Sequence, residues 1–155
     1  MTNLIGLHGR YALVPPQTFV ARLTNEWTTT YHNMPSAALK ALWTTMANTY
    51  QSAILDTAAD VTPRWRILWP PTGSGKTLGA KVYAALQAEQ NAAEPQKTPV
   101  GILIVTRLIA QADDMVAAIN ALAGRQVAVA DHSAQRATNE QLHASDVVVV
   151  CRQGV

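Results

Sequence analysis

Three observations predict an α/β fold, a parallel sheet flanked by helices with a helical extension in front. From Trp65 onward, short apolar runs alternate with amphipathic stretches, the rhythm of right-handed βαβ units. The runs GILIV and DVVVV carry no polar alternation. They read as strands buried on both faces, or as surface that something else covers. Before residue 64 the apolar positions instead recur at steps of three and four, as on helices.

The elements follow in order. Leu4–Val14 reads as a short strand pair or an arm, ended by Pro15-Pro16. Gln17–His32 places Phe19, Leu23 and Trp27 on one helical stripe. The break NMPS follows, with Ser36 as N-cap of a second helix that reaches Asp60. Its stripe is Leu39, Trp43, Met46, Tyr50 and Ile54. Val61–Arg64 connects to the alternating part. There, strands are predicted at Arg66–Trp69, Val100–Thr106, Gln126–Ala130 and Val147–Cys151. Helices are predicted at Lys76–Gln90, Leu108–Leu122 and Arg136–His143, with Gly124 as a C-cap glycine. Two parts result, an arm and helical extension over 1–63 and a nucleotide-binding part over 64–155.

The chemistry is concentrated in Pro70-Pro71-Thr72-Gly73-Ser74-Gly75-Lys76-Thr77. It fits the phosphate-loop pattern G-x-x-x-x-G-K-[ST], with Pro70 in place of the first glycine. Gly73 and Gly75 let the backbone turn its N–H groups inward around an anion. The helix that follows points its N-terminal N–H groups at the same spot. Lys76 suits β- and γ-phosphates, and the Thr77 hydroxyl suits Mg²⁺. Thr72, Gly73, Ser74, Gly75, Lys76 and Thr77 are therefore the expected contacts for ATP and Mg²⁺.

Composition narrows the setting. Charged residues make up 14% and the net charge is +2, too mild to argue for nucleic acid by itself. Cys151 is the single cysteine, so no intramolecular disulfide can form. No apolar run is long enough for a membrane span, and a soluble, cytoplasmic protein is expected.

The segment Pro71–Thr77 resembles motif I of the superfamily 2 helicases, the DEAD/DEAH-type ATPases. Two later stretches agree in order and spacing. Val105–Met115 is similar to motif Ia, with Thr106, Arg107, Ala110 and Gln111 matching and Val105 where the family often has proline. His143–Val155 is similar to the segment leading into motif Ib, with Cys151 where threonine is expected. The resemblance covers roughly Arg64 to Val155. It implies a RecA-like lobe in which Thr106, Arg107 and Arg152 grip a nucleic-acid backbone without reading bases.

The family hydrolyses ATP with a D-E-x-x motif placed after the motif Ib region, and no Asp–Glu pair stands there in this sequence. The resemblance thus implies an incomplete lobe: binding without catalysis by this chain alone, with the remainder of the lobe or a partner chain covering the open sheet. Self-association is expected for the same reason. Asp131, after a strand, is the one acidic residue placed as a stand-in. Asp113-Asp114 reads as a solvated helix face, and Asp146 falls at the wrong end of its strand. A small phosphotransferase and a non-catalytic assembly module are the rival readings.

Other residues take plainer roles. Trp43 reads as core, Trp65 and Trp69 as packed on helices, and Trp27 stays open between core and base stacking. Gln51 lies upstream like the adenine-reading glutamine of DEAD-box proteins, but at the wrong spacing, and reads as solvent-facing. The four histidines show no metal spacing. Cys151 lacks a paired histidine and reads as the end of a buried strand.

Overall fold

The computed structural model describes Gly6 and residues 9–60, 62 and 64–152. It is an α/β structure with a three-stranded parallel sheet flanked by helices. In chain order the elements are α1 (Pro16–Tyr31), α2 (Ala37–Ala58), α3 (Lys76–Ala93), β1 (Ile102–Thr106), α4 (Ile109–Ala123), β2 (Ala128–Asp131), α5 (Asn139–Ala144) and β3 (Val147–Cys151).

Local chemistry sets the helix ends. Pro16 opens α1, where its missing N–H costs nothing. The Ser36 hydroxyl accepts from the Leu39 N–H at the start of α2. Gly124 takes the left-handed conformation that closes α4. Thr138 and Gln141 form a reciprocal capping box on α5. α3 continues three residues beyond the predicted Gln90, because Asn91 is held in place. Its side chain bonds both backbone groups of Val100 and the Asp146 carboxylate.

The strand order is β1-β3-β2, with Ile102 and Ala128 both level with Val147. On one face, α4 and α3 bury Ala112, Ile119, Ala85 and Ala88 against Val127, Ala128, Val147 and Val149. A second core joins α1, α2 and α3 around Phe19, Leu23, Trp43, Met46 and Val82. Gly79 permits the close approach of α3 there, since a Cβ would stand 3.0 Å from Met46 Cε.

The strand predicted at Arg66–Trp69 does not form. These residues lie outside the sheet, and β1 ends the sheet with a free edge. A strand needs a ladder partner for its backbone groups, and among the described residues β1 pairs only with β3. The segment keeps the alternation of a strand, however. Trp65, Ile67 and Trp69 point outward, while Arg66, Leu68 and Pro70 turn inward. Trp65 and Trp69 are therefore not packed on helices, as the sequence suggests, but are 98% and 88% exposed. Arg66 anchors the segment to α2 through the Asp56 carboxylate, and Leu68 packs on the second core.

The Leu4–Val14 reading falls partly outside the described residues. Within them, Tyr11 bridges Thr98 in parallel fashion. Among the described residues no helix is long and apolar enough to cross a membrane.

Candidate phosphate-binding site

The glycine loop turns between Pro71 and Gly75. The Ser74 N–H bonds the Pro71 carbonyl at 3.2 Å, and Gly73 and Gly75 adopt φ +79° and +80°. Both angles lie where only glycine is unstrained. α3 begins immediately after, with no side chain capping its N-terminus. Its first-turn N–H groups thus have no partner within the helix and none from a cap.

The loop is held from behind by two tryptophans. The Trp43 indole N–H donates to the Ser74 carbonyl at 2.9 Å. A Cβ on Gly75 would stand 3.2 Å from Trp27 Cζ3 and 3.6 Å from Trp43 Nε1. The two rings lie 5.5 Å apart, and Asn33 fixes Trp27 by accepting from its indole N–H at 2.7 Å. Trp27 and Trp43 are missed as site residues by sequence reasoning. Helical spacing marks Trp43 as packing and leaves Trp27 open, and only the fold places Gly75 against them.

Thr72, Gly73, Lys76 and Thr77 are exposed in front of this support. Ser74 is buried, and its hydroxyl lacks a hydrogen-bond partner. The Lys76 ammonium folds over the loop and donates to the Pro70 carbonyl at 3.0 Å. These groups match an oxygen-rich anion in chemical type: a helix N-terminus and one cation beside a glycine turn whose Ser74 N–H is taken by the Pro71 carbonyl. The loop residues of the sequence reading are thus brought together. Mg²⁺ fits the exposed Thr77 hydroxyl in chemical type.

Thr106, Arg107 and Arg152 are brought together at the C-terminal end of β1 and β3. The Arg152 N–H bonds the Thr106 carbonyl at 3.1 Å, and both arginine side chains are exposed. The Thr106 hydroxyl is occupied locally, donating toward the Leu108 and Val150 carbonyls. The C-terminal end of α3 is tied to the start of β1 and β3 by Asn91. α3 therefore runs antiparallel to the strands, and Lys76 lies toward the same end as Arg107 and Arg152.

The acidic residues do not complete a hydrolytic site. Asp131 ends β2, separated from β1 by β3. Its carboxylate accepts from the Ala137 N–H and faces Arg136 at 3.7 Å, so it organises its own loop. Asp113 is not simply solvated, since it meets the buried His132 at 2.8 Å. Asp146 stands at the start of β3 with Asn91 and Arg125, at the end away from the loop. Gln51 is not solvent-facing, since it donates to the Val14 carbonyl at 3.2 Å. Among the described residues no group of three His, Cys, Asp or Glu side chains is placed to hold a metal ion.

Burial raises the pKa of Tyr50 and of Tyr83, and the neighbouring Tyr50 raises Tyr83 further. Both rings line an apolar groove beside β1, and the buried Tyr83 hydroxyl has no partner. Comparison with protein-family models, with curated proteins and with solved structures returns no match.

Proposed function

We propose that Thr72–Thr77 binds the phosphates of ATP with Mg²⁺, and that this chain is the phosphate-binding portion of a helicase-like ATPase acting on nucleic acid. The observation that supports this most is the pair of left-handed glycines at an uncapped helix N-terminus that begins with Lys76 and Thr77. Backbone N–H groups of the loop and of the first turn of α3 would hold the phosphate oxygens. Lys76 would exchange the Pro70 carbonyl for a phosphate oxygen. Thr77 would contribute its hydroxyl to Mg²⁺, which when bound neutralises phosphate charge. Arg107 and Arg152 would add a sequence-independent grip on a phosphodiester backbone.

Binding without turnover is the expected behaviour of this chain alone. Activating an attacking water takes a carboxylate in reach of the γ-phosphate, and Asp131 and Asp146 are committed elsewhere. A RecA-like P-loop lobe would be completed by further strands beside β1, from the remainder of the lobe or a partner chain. The non-catalytic assembly module remains the second reading, favoured by the Lys76 bond to Pro70, which closes the loop on itself.

The test is calorimetric titration of Mg·ATP beside an assay for released phosphate. Saturable binding with no release is expected. Phosphate transfer to a small acceptor would replace this reading with a phosphotransferase, and no binding would leave the assembly module.

A further inference from the structure

The two outer strands of the sheet differ. β2 is buried over its first three residues, whereas Leu103 and Val105 of β1 are 65% and 61% exposed. The hydrogen bonds of β1 tell which of its main-chain groups are free. The Ile102 N–H donates to the Asp146 carbonyl, and the Thr106 carbonyl accepts from the Arg152 N–H. Ile102, Ile104 and Thr106 therefore turn their main-chain groups toward β3. In a parallel ladder alternate residues point these groups opposite ways. The N–H and C=O groups of Leu103 and Val105 thus point away from the sheet, and among the described residues they have no partner.

Beside this edge lies a groove of about 470 Å³, a volume in the range of preformed binding sites. β1 forms one wall. Tyr50, Ala53 and Ile54 of α2 with Ala80 and Tyr83 of α3 form the other, and no charged residue lines it. The Tyr83 hydroxyl is buried there and among the described residues has no hydrogen-bond partner, a deficit that native structures seldom leave.

We infer that this edge is a strand-addition site, and that its occupant is an extended peptide segment of a partner protein, with uncharged, mainly apolar side chains at alternate positions. The free main-chain groups select the occupant. Two N–H and two C=O groups in one row match the backbone of a strand. A helix keeps its main-chain groups to itself, and an apolar small molecule has none to offer. A strand's side chains alternate between two faces, so one set falls on the apolar wall that α2 and α3 provide. The other set falls level with the side chains of Leu103 and Val105. The uncharged wall selects against a charged side chain in the inward set. Strand addition here does not depend on nucleotide binding at the glycine loop.

Amide hydrogen exchange of the full chain tests it, with and without a synthetic peptide of alternating valine and threonine closed by lysine at both ends. Exchange at Leu103 and Val105 is expected to slow at least about tenfold with peptide, while Ile102 and Ile104, already paired with β3, stay as they are. The same peptide fully N-methylated has no main-chain donor and is expected to protect neither residue. Ala53→Asp puts an unpaired charge in the groove wall and is expected to weaken peptide binding about tenfold or more, with circular dichroism confirming that the variant folds. No slowing with peptide overturns the inference, as does equal slowing with the N-methylated peptide or binding that Ala53→Asp leaves unchanged. Slowing without peptide that grows with protein concentration overturns it too, and makes a second copy the occupant.

Discussion

Four tryptophans precede the glycine loop, and they meet opposite fates. Trp43 is fully buried and Trp27 half-buried, and both brace the glycine loop. Trp65 and Trp69 stand in solvent only a few residues before that loop. The difference teaches where this chain is self-sufficient. The loop's support comes from α1 and α2, which are complete and share a core with α3. Among the described residues the segment leading into the loop has no ladder partner, and its outward side chains stand exposed. The glycine loop is therefore braced by helices, independently of the sheet beside it.

The comparison is broken most severely by removing the brace. Trp43→Ala is expected to cost about 3–5 kcal/mol through cavity formation, with the Ser74 carbonyl also losing its donor. Trp65→Ala, at a residue 98% exposed, should change stability by less than about 0.5 kcal/mol. Denaturant unfolding of both variants measures the contrast, and equal effects would erase the distinction.

High pH provides a second break in the same core. Tyr50 and Tyr83 have folded-state pKa values raised by burial above the ordinary 10.0. Each therefore contributes stability that is fully present below about pH 10 and is lost as pH rises from there toward the folded value. Unfolding midpoints should fall above pH 10, and Tyr83→Phe should flatten that fall. An unchanged slope in the variant would place the titrating group elsewhere.

A smaller change sharpens the comparison at the loop. Gly75→Ala forces a left-handed backbone on alanine and presses its Cβ toward Trp27. About 1–2 kcal/mol of destabilisation is expected. Gly73→Ala meets nothing within 4 Å and should show the backbone cost alone. Unfolding curves of the two variants separate strain from contact.

Much of the fold was legible because helical and βαβ periodicities are local. The Leu39–Ile54 stripe, the Ser36 cap and the Val147–Cys151 strand all stand as the pattern suggests. Arg66–Trp69 did not, because an apolar alternation states a preference for a sheet and cannot supply the neighbour. The same gap separates Trp43 from Trp65: spacing within a helix reports burial, whereas burial at a sheet edge depends on chain elsewhere. At the candidate site, the loop's glycines and Lys76 were legible from their motif. Trp27 and Trp43 behind them were not, since their contact with Gly75 crosses more than thirty positions of sequence. Asp131 read as the stand-in for a hydrolytic acid because its partners, Arg136 and the Ala137 N–H, lie in an irregular loop that periodicity does not describe.

The most direct test of the central claim is calorimetric titration of Mg·ATP into the chain beside Lys76→Ala and, as a charge control, Lys97→Ala. Lys97 pairs with Glu94 at 2.6 Å near the other end of α3. A preformed cradle predicts saturable binding by the parent chain and by Lys97→Ala, weakened at least about tenfold in Lys76→Ala. Equal heats from all three proteins, or none from any, would contradict it.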